Sequence, residues 1–217
     1  MKKICILSAV NIKHMSLISN YTEKLREWGI EYDIIYMDKY GEDEEFCAKN
    51  KYVYKNIINP RLPKLMRGLK YLKFIGYAKK ILKNNRYDFI IVWNDVAIFL
   101  FAHYLAKVWP GKYCLNIRDY CHQKNKLIFN LFKKVIDKSA FTTISSPGYK
   151  CFLPEYEYVE MHSLNNNVLK KCTPRTNLRK SNEKIRIVFV GYVRFFEINK
   201  KLLQIFKNDD RFELHYY

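Results

Sequence analysis

Short, unbroken runs of branched apolar residues alternate with segments whose apolar residues recur at helical spacing, and this alternation constrains the 217-residue chain most. The first run, residues 4–10, has the length and branching of a parallel strand covered on both faces. Over 14–28, Met15, Leu17, Ile18, Tyr21, Leu25 and Trp28 follow helical spacing, and Gly29 stands where a helix ends in a left-handed residue. Strands are expected at 32–37 and 52–57, separated by an acidic, aperiodic loop at 38–49. Pro60 and Pro63 precede a long basic helix in which Leu62, Leu65, Met66, Leu69, Leu72, Ile75, Ile81 and Leu82 form an apolar stripe. Most of that stripe is expected to pack into the core. Strand 87–93 then leads into helix 96–108, strand 112–117 into helix 126–137, and strands follow at 140–145 and 156–162. Each crossover helix returns the chain to the same edge, so the fold class is α/β: a Rossmann-like, doubly wound parallel sheet.

Residues 165–184 lose the apolar pattern and have linker composition, closing a first domain at 1–164. A strand at 184–190 ending in Gly191, a helix at 199–206 and a strand at 212–217 then restart the pattern. That restart reads as the first βαβ of a second Rossmann-like domain over 185–217. Two parallel strands alone are marginal, so the second domain is expected to be incomplete and the chain truncated.

The formal charge of +18 attracts anions: nucleic acid, a phospholipid surface or a phosphorylated substrate. Its density is greatest over residues 49–86, where cations are frequent and no acidic residue occurs. No run approaches the length of a membrane-spanning helix, and the apolar stretch behind Met1 lacks a cleavage-like site, so the expectation is a cytoplasmic protein. The six cysteines lack C-x-x-C spacing and read as structural thiols rather than metal ligands.

In open parallel sheets ligands bind beyond the carboxyl ends of the strands. After the first strand come Asn11 and His14 without G-x-G-x-x-G, which argues against a nicotinamide or flavin cofactor. His14 is either a hydroxyl-orienting residue or an ordinary surface histidine. After the fourth come Asn94 and Asp95, with Asp95 suited to cap the next helix. After the fifth, Arg118, Asp119 and His122 gather a cation, a carboxylate and an imidazole; the alternative is an internal Arg118–Asp119 neighbourhood. Ser145 and Ser146 precede Pro147 and read as a cap. In the second domain, Gly191 followed by Arg194 and Lys200 near a helix start has the makings of a diphosphate site.

The strings Ile117-Arg118-Asp119-Tyr120, Phe189-Val190-Gly191 and Lys207-Asn208-Asp209-Asp210-Arg211-Phe212, in this layout, resemble the retaining GT-B glycosyltransferases of the family 4 type found among bacterial capsular polysaccharide enzymes. The resemblance implies a GT-B N-terminal domain that receives a glycan or lipid-linked acceptor and a C-terminal domain that holds a nucleotide-sugar. It implies hexosyl transfer with anomeric retention and no cofactor or metal beyond the nucleotide-sugar co-substrate. Gly191 falls on the family's glycine after the first C-domain strand, with Arg194 and Lys200 near its diphosphate-binding cations, although Arg194 is displaced from the usual Gly-Arg position. Asp119 and Arg118 become catalytic candidates, and Asn11, His14, Asn94 and His122 acceptor-side candidates. Where many members have histidine before aspartate, this chain has Arg118 before Asp119. The family's donor-gripping carboxylate motif lies beyond Tyr217, so this piece alone is expected to be inactive. The basic segment 49–86 is expected to touch anionic membrane at its inner face. The rivals are a nucleic-acid-binding α/β module and a non-catalytic partner subunit of a two-chain enzyme; without a zinc finger, RNP-like string or basic repeat, nucleic acid is not expected.

Overall fold

Strand β1 (Ile4–Ser8) is buried along its whole length and pairs in parallel with β2 (Tyr32–Asp38) on one side and β4 (Phe89–Trp93) on the other. In the computed structural model, which describes residues 2–15, 17–57, 63–120, 123–162, 164, 169–173, 184–191 and 195–217, β3 (Lys51–Lys55) lies outside β2. Beyond β4 come β5 (Tyr113–Ile117), β6 (Phe141–Ile144) and β7 (Val159–Glu160), giving a seven-stranded parallel sheet in the order β3-β2-β1-β4-β5-β6-β7. The last strand is two residues long, not the seven expected, and β1 stops at Ser8, whose hydroxyl accepts from the Val10 amide and bends the chain out of the sheet.

Because strand side chains alternate, the central strands feed two cores. Leu7, Ile35, Val92 and Leu115 point to one face, which α2 (Lys64–Asn85), α3 (Asp95–Val108) and α4 (Lys126–Asp137) cover with Phe74, Phe101, Leu105 and Phe132. Ile6, Ile34, Ile91 and Trp93 point to the other, where α1 (Ser19–Glu27) contributes Leu25, and Met15 and Ile18 fill in ahead of it. Helix α1 starts later than its apolar spacing suggests, because Ile12–His14 form a separate 3₁₀ turn. It ends as expected: Gly29 has φ +64°, its amide bonds the Arg26 carbonyl, and the Ile30 amide bonds the Leu25 carbonyl, a Schellman closure.

Helix α2 departs from the expected stripe. Phe74, Ala78 and Leu82 are fully buried, whereas Met66, Leu69 and Leu72 are exposed. Four-residue spacing from Phe74 to Leu82 defines the inward face; Leu69 and Leu72 lie off it, and Met66, though in the same register, is exposed.

The chain divides into two compact units, 1–170 and 171–217. The second pairs β8 (Ile185–Phe189) in parallel with β9 (Phe212–Tyr216), joined by α5 (Phe196–Phe206). Helix α5 begins three residues earlier than expected, so Glu197 sits in its first turn and Lys200 one turn in. Of the linker, residues 165–168 and 174–183 lie outside the described residues.

The two faces of α2 separate in an unfolding experiment. Phe74→Ala is expected to cost about 3–5 kcal/mol through lost burial and a cavity, while Leu72→Ser changes stability by less than about 0.5 kcal/mol. Equal losses in urea titrations would show that the exposed stripe is packed.

Candidate functional site

At the carboxyl ends of β1, β4 and β5 lies a cavity of about 270 Å³ lined by Val10, His14, Trp93, Asn94, Asp95, Val96, Arg118, Asp119 and Tyr120. A larger one, about 380 Å³, is lined by Arg26, Gly29, Ile30, Glu31, Tyr32, Cys47 and Lys49 at the amino ends of β2 and β3. Open parallel sheets bind ligands at the carboxyl ends, and only the smaller cavity gathers predicted site residues.

Its floor is set where β4 turns into α3. Asn94, not Asp95, is the N-cap: its side-chain oxygen accepts from the Ala97 amide at 2.8 Å. Asn94 has φ 74° and ψ 157°, a combination that favours glycine, and such strain persists where surrounding structure enforces it. Asp95 is thereby the first helical residue, buried at 3% exposure. Its Oδ2 accepts from the backbone amides of Arg118 at 3.1 Å and Asp119 at 2.9 Å, and its Oδ1 is enclosed with no hydrogen-bond partner among the described residues. Asp95 therefore ties the turn after β4 to the turn after β5. Burial pushes its carboxyl up to about 7; the Asp119 charge adds to the rise, and the two amides oppose it.

Arg118 is half-buried, its guanidinium 5.7 Å from the Trp93 ring centroid and its Nε donating to Asn116 Oδ1 at 2.8 Å. Burial lowers its pKa, against the pull of Tyr21, Tyr149 and Asp119. Asn116 in turn donates to the Tyr21 hydroxyl and to Thr143 Oγ1, and the Tyr149 hydroxyl donates to the Arg118 carbonyl. The turn is thus held from both faces of the sheet, with Asp119 and Tyr120 exposed at its rim.

The other predicted residues have different surroundings. Asn11 is fully buried: its amide donates to Asp38 at 2.8 Å and Glu44 at 3.1 Å, and its oxygen accepts from the Lys39 amide at 2.8 Å. It ties the loops after β1 and β2 together. Burial raises the Asp38 carboxyl, but Asn11 and the amides of Tyr40, Gly41 and Glu42 outweigh it and hold the group low. His14 is exposed on the cavity wall, 3.1 Å from the Tyr40 hydroxyl. Ser146 caps the turn Pro147–Cys151 through the Gly148 amide, as expected. Gly191 has φ +135°, a backbone that requires glycine, and Lys200 is exposed. His122 and Arg194 lie outside the described residues. Among the described residues no group of three or more His, Cys, Asp or Glu side chains is arranged to hold a metal.

Sequence reasoning took Asp95 for a helix cap and did not single out Trp93, while Tyr120 entered only within the string Ile117-Arg118-Asp119-Tyr120; all three line the cavity. The available signal was an acidic residue one position beyond a fully apolar strand, at the head of an apolar helix.

An unfolded aspartate titrates near 3.9. Between that value and about 7 the folded protein holds the Asp95 proton more tightly than the unfolded chain, so raising pH across this window lowers stability. Asp95→Asn removes the titration. The stability of wild type relative to this variant is expected to fall by up to about 4 kcal/mol between pH 4 and pH 8, read from denaturant unfolding at several pH values. A difference independent of pH would contradict the buried, proton-holding carboxyl.

No protein-family model and no curated protein matches the chain. Solved structures do match in shape. MurG of Acinetobacter baumannii aligns with a TM-score of 0.56 at 12% identity, covering 100% of this chain and 57% of that one. The glycotransferase of kitacinnamycin aligns at 0.54 and 12% identity, covering 99% of this chain and 65% of that one. The chain thus spans less than two thirds of either structure's length. Its seven-stranded parallel sheet and covering helices are those of the GT-B glycosyltransferase fold, α/β and Rossmann-like.

Proposed function

We propose that the chain is the acceptor-side part of a glycosyltransferase that moves a hexose from a nucleotide-sugar to a glycan or lipid-linked acceptor in surface polysaccharide synthesis. The carrying observation is the cavity at the carboxyl ends of β1, β4 and β5 in a sheet of GT-B fold, where an amide, two carboxylates, a guanidinium and aromatic rings converge. Planar polar groups beside aromatic faces suit hydroxyl-rich, partly apolar sugar rings. In this reading domain 1–164 receives the acceptor, 165–184 is the linker, and 185–217 begins the nucleotide-sugar domain. Gly191 and Lys200, together with Arg194, contribute to the diphosphate site, though Glu197 in the first turn of α5 sets a like charge beside the phosphates. The nucleotide-sugar is a co-substrate, and neither cofactor nor metal takes part.

Contact with the inner face of an anionic membrane belongs to the same reading. The exposed Met66, Leu69 and Leu72 of α2 lie within the acid-free segment 49–86, which supports adsorption of an apolar and cationic helix. Cosedimentation with phosphatidylglycerol vesicles is expected, weakened several-fold by the double substitution Leu69→Ser and Leu72→Ser and by added salt. Equal binding of the double variant would remove α2 from the contact.

The main test is amide chemical-shift mapping on the labelled chain. Glucose, galactose or N-acetylglucosamine at millimolar concentration is expected to shift Asn94, Arg118 and Asp119, and UDP- or GDP-sugars to shift Gly191 and Lys200. Lys200→Ala is expected to weaken nucleotide-sugar binding about tenfold, the loss of one charge-assisted contact. Single-stranded oligonucleotide shifting the cavity while every saccharide is silent would overturn the reading in favour of a nucleic-acid module.

A further inference from the structure

Two exposed side chains meet between the loops after β1 and β2, and one of them lines the cavity. His14 Nε2 lies 3.1 Å from the Tyr40 hydroxyl oxygen, with the ring centroids 5.4 Å apart. His14 is on the cavity wall and Tyr40 is not, so Tyr40 acts on a ligand there through the imidazole. Both backbones are anchored to buried groups. The His14 amide donates to the Asn11 carbonyl at 3.0 Å, and the Tyr40 amide donates to Asp38 Oδ1 at 3.0 Å. Asn11 and Asp38 are fully buried and joined to each other at 2.8 Å, which fixes the separation of the two loops. The Lys13 ammonium adds a hold on the Tyr40 ring, 4.3 Å from its centroid and 2.7 Å from Glu42. An exposed contact is usually offset by the entropy of ordering it, and here folding has already brought both loops into place.

The pair also selects which ring nitrogen carries the hydrogen. A phenol hydroxyl is more acidic than an imidazole N–H, and an imidazole nitrogen is more basic than a phenol oxygen, so the hydroxyl donates and the nitrogen accepts. With Nε2 accepting, the hydrogen of the neutral ring resides on Nδ1, since the state of one nitrogen is set by the bond the other makes. Nδ1 has no hydrogen-bond partner among the described residues. What His14 has left to offer the cavity is therefore a donor. Its complement is an oxygen lone pair, which every hydroxyl and ring oxygen of a sugar supplies.

We infer that Tyr40 is a positioning residue: it holds the His14 hydrogen on Nδ1, so that His14 donates a hydrogen bond to an oxygen of the sugar bound in this cavity. The inference rests on the acceptor-side reading and adds to it the direction of one hydrogen bond and the residue that sets it. It assigns His14 to binding. A neutral imidazole with its hydrogen on Nδ1 and its Nε2 occupied has no lone pair left with which to take a proton from a ligand hydroxyl.

The test uses the full chain. In long-range proton–nitrogen spectra at alkaline pH, where the imidazole shifts no longer change, wild-type His14 is expected to show a protonated Nδ1 and an unprotonated Nε2; its signals are those lost in His14→Phe. Tyr40→Phe is expected to move the hydrogen toward Nε2, the tautomer free histidine favours, a change that a merely structural role for Tyr40 would not produce. For binding, the probe is whichever of glucose, galactose, mannose and N-acetylglucosamine shifts the cavity amides most. Its affinity is expected to fall about threefold to tenfold in Tyr40→Phe and in His14→Phe, the loss of one hydrogen bond. His14→Asn, whose amide nitrogen stands near the position of Nδ1, is expected to restore most of that affinity, and adding Tyr40→Phe to it to cost nothing further. A hydrogen found on Nε2 in wild type, a tautomer unmoved by Tyr40→Phe, or equal hexose binding by Tyr40→Phe and wild type overturns the inference and leaves the acceptor-side reading standing. If no hexose shifts the cavity amides, that reading falls and the inference with it. The tautomer is read on wild type and decides the matter even if a variant fails to fold.

Discussion

Parallel pairing of β1 with β2 on one side and β4 on the other is the constraint from which the site follows. The chain leaving β1 turns toward the face covered by α1, and the chain leaving β4 turns toward the face covered by α3. Two adjacent strands whose exits part in opposite directions cannot close over each other, so a crevice opens at their carboxyl ends. Val10 and His14 line it from one exit, Asn94 and Asp95 from the other, and Arg118 to Tyr120 from the next strand along. Trp93, last residue of β4, points to the α1 face and places its ring beneath the Arg118 guanidinium. The topology thus brings together side chains from three separate turns.

One side of the crevice is closed by the protein itself. Asn11, Asp38 and Glu44 link the loops after β1 and β2, and the Glu44 carboxylate accepts from the amides of Ile12 and Lys13 at 2.9 and 2.7 Å. Those are the amides that face a pyrophosphate in dinucleotide-binding sheets. Here an internal carboxylate takes them.

Fold class was legible because the buried strands are short, predominantly apolar runs and the helices between them carry apolar residues at helical spacing. Helix α4 begins and ends where its pattern does, and Gly29 stops α1 by a local backbone requirement that residue type alone discloses. The exposed half of α2 was not legible, since helical spacing records that apolar residues share a side and not whether that side meets a core. Nor was the role of Asp95. Capping rules rank aspartate and asparagine alike, and what separates them here is the positive φ of Asn94, imposed by the direction α3 must take over the sheet. Arg118 and Asp119 looked like partners because they are adjacent, yet what their amides share is a carboxylate 23 and 24 residues earlier in the chain.

That shared carboxylate explains why the site is both rigid and chemically poised. Burial alone would keep Asp95 neutral, and two amide donors alone would keep it ionised well below the usual range. Burial outweighs the amides, which leaves the carboxyl raised to about 7. A third donor on Oδ1 would tip the balance toward the ionised form and bring the last buried lone pairs into use. Among the described residues none is hydrogen-bonded to Oδ1, both neighbouring turns directing their amides to Oδ2. Folding has therefore used one oxygen of this carboxylate to tie the turn after β4 to the turn after β5 and has enclosed the other.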